Sequence, residues 1–285
     1  MKSPLLAGLA LTLAVLLPGQ DGVGAHASEG SVIAPSEIPF NDPHEFPQSA
    51  YPYIANARVV WLGEMHGTNE APALLLGLVR LISRNDHPPV VALEIPHGNQ
   101  TAIDDFLKSG DQAVLKTRTF FAYKLEGKDG RASQAMARLL EALRTEKIAG
   151  VVCIDPVPVP WNQRDQGMAA RIAESAAHFP GSKIVVLTGN AHALVTEGAP
   201  WDPKYQGAAL HLAKQIAPIA TFDFRYESGT VWNRTQEGFG EHKVKVSSRP
   251  WAGSAPYYIS FGDKPVHGYH GVIFSRNVSG SPPWP

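Results

Sequence analysis

Two carboxylates and an imidazole stand close together in WLGEMHGTNE, residues 61–70: Glu64, His66 and Glu70. A histidine beside carboxylates suits acid–base chemistry. The neutral ring takes a proton from water, and a carboxylate orients it and stabilises the charge that develops. The same side chains also ligate metal ions. If residues 63–66 are extended, Glu64 and His66 project to the same side, because side chains alternate along a strand. Gly67, lacking a Cβ, permits a sharp turn into a following helix. Thr68 or Asn69 can cap that helix, which puts Glu70 in its first turn, where the helix dipole favours a carboxylate. Glu70 is therefore either a capping group or a member of the site.

More such residues follow. PVVALEI (89–95) carries Glu94, with His97 just beyond; GVVCI (150–154) runs into Asp155; KIVVLT (183–188) runs into GNAH, ending in His192. Arg164 and Asp165 open a helical stretch and bring a cation that can pair with one of these carboxylates. Asp155 precedes PVPVPW, a stiff extended segment suited to the wall of a cleft. His87, His178, His211 and His242 lie in polar or amphipathic contexts and read as surface residues; His267 and His270 either close the site or are structural. Met65, Tyr123, Trp161 and Trp201 either line an apolar mouth or pack as core and rim. Neither G-x-x-x-x-G-K-[ST], G-x-G-x-x-G nor G-x-S-x-G occurs, and Cys153 sits inside an apolar run. That argues against a phosphate loop and against a covalent Ser or Cys nucleophile.

The elements that must position these groups alternate in type. RVVWL (58–62), 89–95, 150–154 and 183–188 are short apolar runs of strand type. Between them, 72–84, 100–108, 132–147 and 163–178 repeat apolar residues at helical spacing. Strands apolar on both faces, separated by helices, predict an α/β fold: a parallel-centred sheet with helices on both faces, an α/β/α sandwich. Beyond residue 215, IATFDFRYE, TVWNRT, HKVKVS, YYISF and GVIFS are expected to add antiparallel strands toward the C-terminus. Every parallel strand ends in a carboxylate or an imidazole. In open parallel sheets the C-terminal strand ends line the ligand crevice, so Glu64, His66, Glu94, Asp155 and His192 are expected to share one site.

The chain has 285 residues, of which 44% are hydrophobic and 18% charged, with a net charge of −1. That composition is globular, and the lack of a basic tract argues against nucleic acid as a partner. Residues 1–27 read as a signal peptide: Lys2, an apolar stretch from Leu5 to Leu17, and an A-x-A pattern at Ala25-His26-Ala27. Cleavage before Ser28 would leave an exported protein, periplasmic or extracellular, without a stable membrane anchor. Cys153 is the only cysteine, so no intramolecular disulfide and no lipid-bearing N-terminal cysteine is available. Residues 28–50 read as an extended lead-in and 51–285 as a single domain.

GEMHGTNE (63–70), RDQGMA (164–169) and TGNAHA (188–193) resemble, in the same order, the conserved blocks of the erythromycin-esterase/ChaN-like superfamily. That group takes in macrolide esterases, ChaN-type haem-uptake proteins and Tiki/TraB proteins. The closing YHGVIFSRNVSGSPPWP is similar to the last strand of the ChaN-like branch, with His270 where an aspartate is usual. The resemblance covers about residues 55–285 and implies a helix-sandwiched parallel sheet. It implies two kinds of function. In the esterases a histidine activates water with help from glutamates; the matching residues here are Glu64, His66, Glu70, Arg164 and His192, with Arg164 or His192 stabilising the oxyanion. Alternatively the chain binds haem or a divalent ion such as Zn²⁺ or Mn²⁺, with Glu64, His66, Glu94, Asp155 and His192 as the ligand set. Either way the expected partner is a small-molecule ligand or substrate.

Overall fold

A computed structural model describes residues 37–122, 130–236, 238–245 and 254–284. The expected signal peptide, the lead-in as far as residue 36, Tyr123 and the side chain of Trp161 lie outside the described residues. Among the described residues, nine strands form one sheet. One end of it is β2 (Val59–Glu64), β3 (Val90–Pro96), β4 (Gly150–Asp155) and β5 (Ile184–Gly189), each within two residues of the corresponding apolar run, with β4 at the edge. They lie in the order β4-β3-β5-β2, all parallel.

The pleat sends alternate residues of these strands into two separate cores. Val60, Leu62, Val91, Leu93, Val185 and Leu187 pack against α2 (Glu70–Asn85), α3 (Gln100–Ser109) and α5 (Gln134–Leu143). Val59, Trp61, Val90, Ala92, Ile184 and Val186 pack against α6 (Trp161–His178) and α7 (Ala208–Ala213). Burial on both faces is what makes each strand a continuous apolar run. Each fully buried aliphatic side chain contributes about 1.5–3 kcal/mol. The α/β/α sandwich expected from the sequence is the fold observed. Trp61 adds a polar tie across the second layer, its indole N–H donating to Thr188 Oγ1 at 2.8 Å.

The C-terminal half adds antiparallel strands as expected, but two of its runs pair in parallel. IATFDFRYE and TVWNRT form one strand, β6 (Ile219–Thr235), and it runs parallel to β2, extending the parallel set. β9 (Tyr269–Val278) is parallel to β6 in turn. Antiparallel pairs are β7 (Gly238–Lys245) on β6, β8 (Tyr257–Val266) on β9, and β1 (Glu37–Phe40) on β8. Within the described part of the lead-in, residues 37–50 join the domain: β1 is an edge strand and Phe46 is buried. Among the described residues, three further helices were not read from the sequence, α1 (Tyr51–Ile54), α4 (Gln112–Arg118) and α7. No helix of the described residues is long and apolar enough to cross a membrane.

Candidate active site

Because β4, β3, β5 and β2 are parallel neighbours, their C-terminal ends form one rim, and Asp155, Glu94, Gly189 and Glu64 stand side by side on it. Beyond β2 the chain turns at Gly67, with φ +97°, a backbone that disfavours any side chain. A Cβ there would also overlap the Trp232 carbonyl. Gly63 admits the turn that carries His192: a Cβ at Gly63 would lie 2.8 Å from Asn190 Cα and 2.9 Å from Ala193 Cβ.

The imidazole of His66 is held between two carboxylates. Its Nδ1 is 3.1 Å from Glu64 Oε1, and its Nε2 is 3.4 Å from Glu94 Oε2. Burial opposes charge on the ring, but Glu94 and Glu64 outweigh it and raise the His66 pKa to about 10. The resting ring is therefore an imidazolium with an N–H toward each carboxylate. The sequence reading took the ring as neutral; the second carboxylate, Glu94, favours the charged form.

Beneath His66 lies a buried ionic network. Arg164, in the first turn of α6, donates to Asp155 through Nε (2.9 Å) and Nη2 (2.8 Å), and to Glu94 Oε1 through Nη2 (2.6 Å). Arg131 donates through Nη1 to Asp155 Oδ2 (2.7 Å) and Glu94 Oε1 (3.1 Å). The Gly189 amide donates to Glu94 Oε2 at 2.6 Å. Burial works to raise the Glu94 carboxyl, but His66, Arg131, His192 and Arg164 hold it well below its usual range. Asp155 is lowered in the same way, with the Arg164 hydrogen bonds and Arg131 overriding its burial.

His192 forms the other arm. Its Nδ1 lies 2.6 Å from Asp165 Oδ1, and its Nε2 is 3.3 Å from Arg164 Nη1. Asp165 also accepts from the Ala208 amide (2.8 Å) and the Tyr205 hydroxyl (3.1 Å).

The structure thus brings together Glu64, His66, Glu94, Asp155, Arg164 and His192. Glu70 stands apart from them. Its carboxylate accepts from the Ser279 amide (3.0 Å) and Ser279 Oγ (2.8 Å), at the N-terminus of α2. Asn69 makes no side-chain cap, whereas Thr68 Oγ1 accepts from the Ala71 amide at 3.4 Å, as one of the two expected caps. His270 is also elsewhere, with its Nδ1 accepting from the Thr221 amide at 3.2 Å. Three members of the network escaped the sequence reading. Arg131 and Tyr205 lie in loops without periodicity, whereas Asp165 stands beside Arg164 in the quoted RDQGMA block and was treated only as its neighbour.

The ligand set expected for a metal does not fit. Among the described residues, no group of three or more His, Cys, Asp or Glu side chains is placed to hold an ion. The physical reason is that two guanidinium groups occupy the carboxylate lone pairs of Glu94 and Asp155, and a metal there would lie against fixed positive charge. Haem ligation fits no better at His192, whose two nitrogens face Asp165 and Arg164.

No family model and no curated protein matches the sequence. Solved structures do match the fold. A mutant of the erythromycin esterase EreC in its open conformation aligns at TM-score 0.64 and 11% identity, over 85% of this chain and 98% of that one. A succinoglycan biosynthesis protein aligns at 0.61 and 11%, over 87% and 96%. A Bacillus cereus protein aligns at 0.60 and 11%, over 87% and 97%. The chain therefore shares the fold of these three structures. At 11% identity the likeness establishes architecture, and the chemistry has to be argued from the site.

Proposed function

We propose that this chain is a hydrolase of small-molecule ester or amide bonds, acting after export, with His66 as the base that activates water. The observation that carries the reading is the Glu64–His66–Glu94 arrangement at the rim of the sheet, where the side chains of His66 and Arg131 are 14% and 17% exposed. In its neutral form His66 Nε2 takes a proton from water while the water oxygen bonds to the substrate carbonyl carbon. Glu64 on Nδ1 holds the ring and stabilises the imidazolium that results. The carbonyl oxygen gains the electron pair of the broken π bond, and Arg131 is the cation placed to stabilise it. Collapse of that intermediate expels the alkoxide or amine, which receives the proton from His66. The sequence assigned the oxyanion role to Arg164 or His192, but both lie beneath Glu94, so Arg131 takes it in this reading.

The raised pKa has a kinetic consequence. With its pKa raised by the two carboxylates, His66 is largely protonated at pH 7, so hydrolysis accelerates as pH rises. The test is an ester and amide panel assayed with the wild type, His66→Ala and Glu64→Gln. Loss of a general base costs about 10²–10⁴ in rate. Wild-type hydrolysis that persists unchanged in His66→Ala refutes the reading. A Soret band or a stoichiometric transition metal in the purified protein, with no hydrolysis, replaces it with a binding function.

A further inference from the structure

His66 and Arg131 come from loops far apart in the sequence, and one short segment binds both. Residues 279–281 pair with the loop after His66. The Asn69 amide donates to Ser279 O (2.9 Å), the Ser281 amide donates to Gly67 O (2.8 Å), and Glu70 accepts from Ser279. Residues 281–284 pair with the loop after Arg131. Ser281 Oγ accepts from the Ala135 amide (2.9 Å), Pro282 O from the Gln134 amide (2.9 Å), and the Trp284 amide donates to Ala132 O (3.0 Å). Trp284 is pinned edge-on against Phe121, with ring centroids 5.4 Å apart, and Lys116 Nζ lies 5.1 Å from its ring centre. The two loops also abut directly: a Cβ at Gly130 would lie 2.9 Å from the Gly67 nitrogen and 3.0 Å from the His66 carbonyl carbon.

We infer that residues 279–284 are a positioning strap that sets His66 against Arg131, and that Ser281, which bonds to both loops, is its central residue. The alternative, a tail that merely covers apolar surface, is hard to reconcile with the bonding. Ser281 is fully buried and spends its amide on one loop and its hydroxyl on the other. Glu70 belongs to the same device. Its carboxylate clamps the strap at Ser279 and so acts on His66 only through the backbone of residues 67–69. A positioning role of this kind matters because misplacing a reacting group by about 1 Å costs on the order of 10²-fold in rate.

The kinetic half of the test rests on the proposed hydrolysis; the spectroscopic half does not. Ser281→Ala removes the acceptor under Ala135, Ser279→Ala removes an exposed clamp on Glu70, and Ser279→Thr restores a hydroxyl there. The His66 ring proton is followed by NMR through a pH titration in each full-length variant, alongside kcat, KM and thermal melting. We expect the His66 midpoint to fall below its wild-type value in both alanine variants and to recover in Ser279→Thr. We also expect kcat to drop about tenfold or more with KM nearly unchanged. A lower melting temperature with an unmoved His66 midpoint and normal kcat per folded molecule overturns the inference. If the wild type hydrolyses nothing, the midpoint alone decides, which separates failure of the strap from failure of the hydrolase reading. If Ser281→Ala does not fold, the exposed Ser279 pair decides.

Discussion

Arg164→Met should be among the most damaging single changes outside the apolar core. Arg164 is 8% exposed and joins Asp155, fully buried, to Glu94, 4% exposed, through three hydrogen bonds of 2.6–2.9 Å. Methionine preserves much of the volume but leaves two buried carboxylates short of a cation. Removing one partner of a buried ion pair costs about 3–5 kcal/mol. Arg131 still reaches both carboxylates, at 2.7 and 3.1 Å, so the loss should fall near the lower end, about 3 kcal/mol. Against a usual total of about 5–15 kcal/mol, that is a large fraction. The control is Arg118→Met, whose partner Asp105 is 44% exposed, where the loss should stay below about 1 kcal/mol. The pH dependence follows from the lowered Asp155 pKa. A carboxyl depressed by folding contributes stability above its unfolded pKa and loses it as pH falls through the folded value. The penalty of Arg164→Met should therefore be greatest near neutrality and narrow toward pH 3. Urea unfolding of both variants at pH 7 and pH 4 measures it. A loss for Arg164→Met no larger than that for Arg118→Met, or one that does not change with pH, would refute the network as described.

The stability of the wild type should itself fall as pH rises from 7 to 10. His66 is raised from its ordinary value to about 10, so its charge stabilises the fold fully below the unfolded pKa and ceases to as pH passes the folded one; unfolding curves of His66→Ala should lack that slope. Gly67→Ala should fail to accumulate or melt far below the wild type, because both its φ of +97° and the Trp232 carbonyl exclude a Cβ; normal expression and melting would contradict this. Cys153 should resist thiol reagents until the protein unfolds, since it is 1% exposed and burial pushes its thiol up to about 12; stoichiometric labelling of the native chain at pH 8 would show otherwise.

The rim of the site was legible because each parallel strand is buried on both faces. A carboxylate ending such a run has no place in either core, so Glu64, Glu94 and Asp155 stood out. What pairs with them was not legible. Arg131 lies in a loop whose path is set by the strap, and neither loop nor strap has a periodicity to betray it. The charge state of His66 was missed for a related reason, since it depends on Glu94 from a different strand. β6 was misread as two antiparallel pieces because Ser228-Gly229 breaks its apolar pattern, and local pattern does not encode which neighbour a strand chooses. Glu70 met the chemical criterion for a site residue, yet the helix terminus and Ser279 account for it.

The central claim is that His66, held between Glu64 and Glu94, is the group whose proton loss switches on hydrolysis. The direct measurement is the pH dependence of kcat/KM from pH 6 to 11 on whichever ester or amide is turned over, for the wild type and for Glu64→Gln. The account predicts a rise of about tenfold per pH unit up to a plateau near pH 10 in the wild type. In Glu64→Gln, with one carboxylate neutralised, the midpoint should move to lower pH. A profile that is flat across this range, or one that shifts to higher pH in Glu64→Gln, would contradict it.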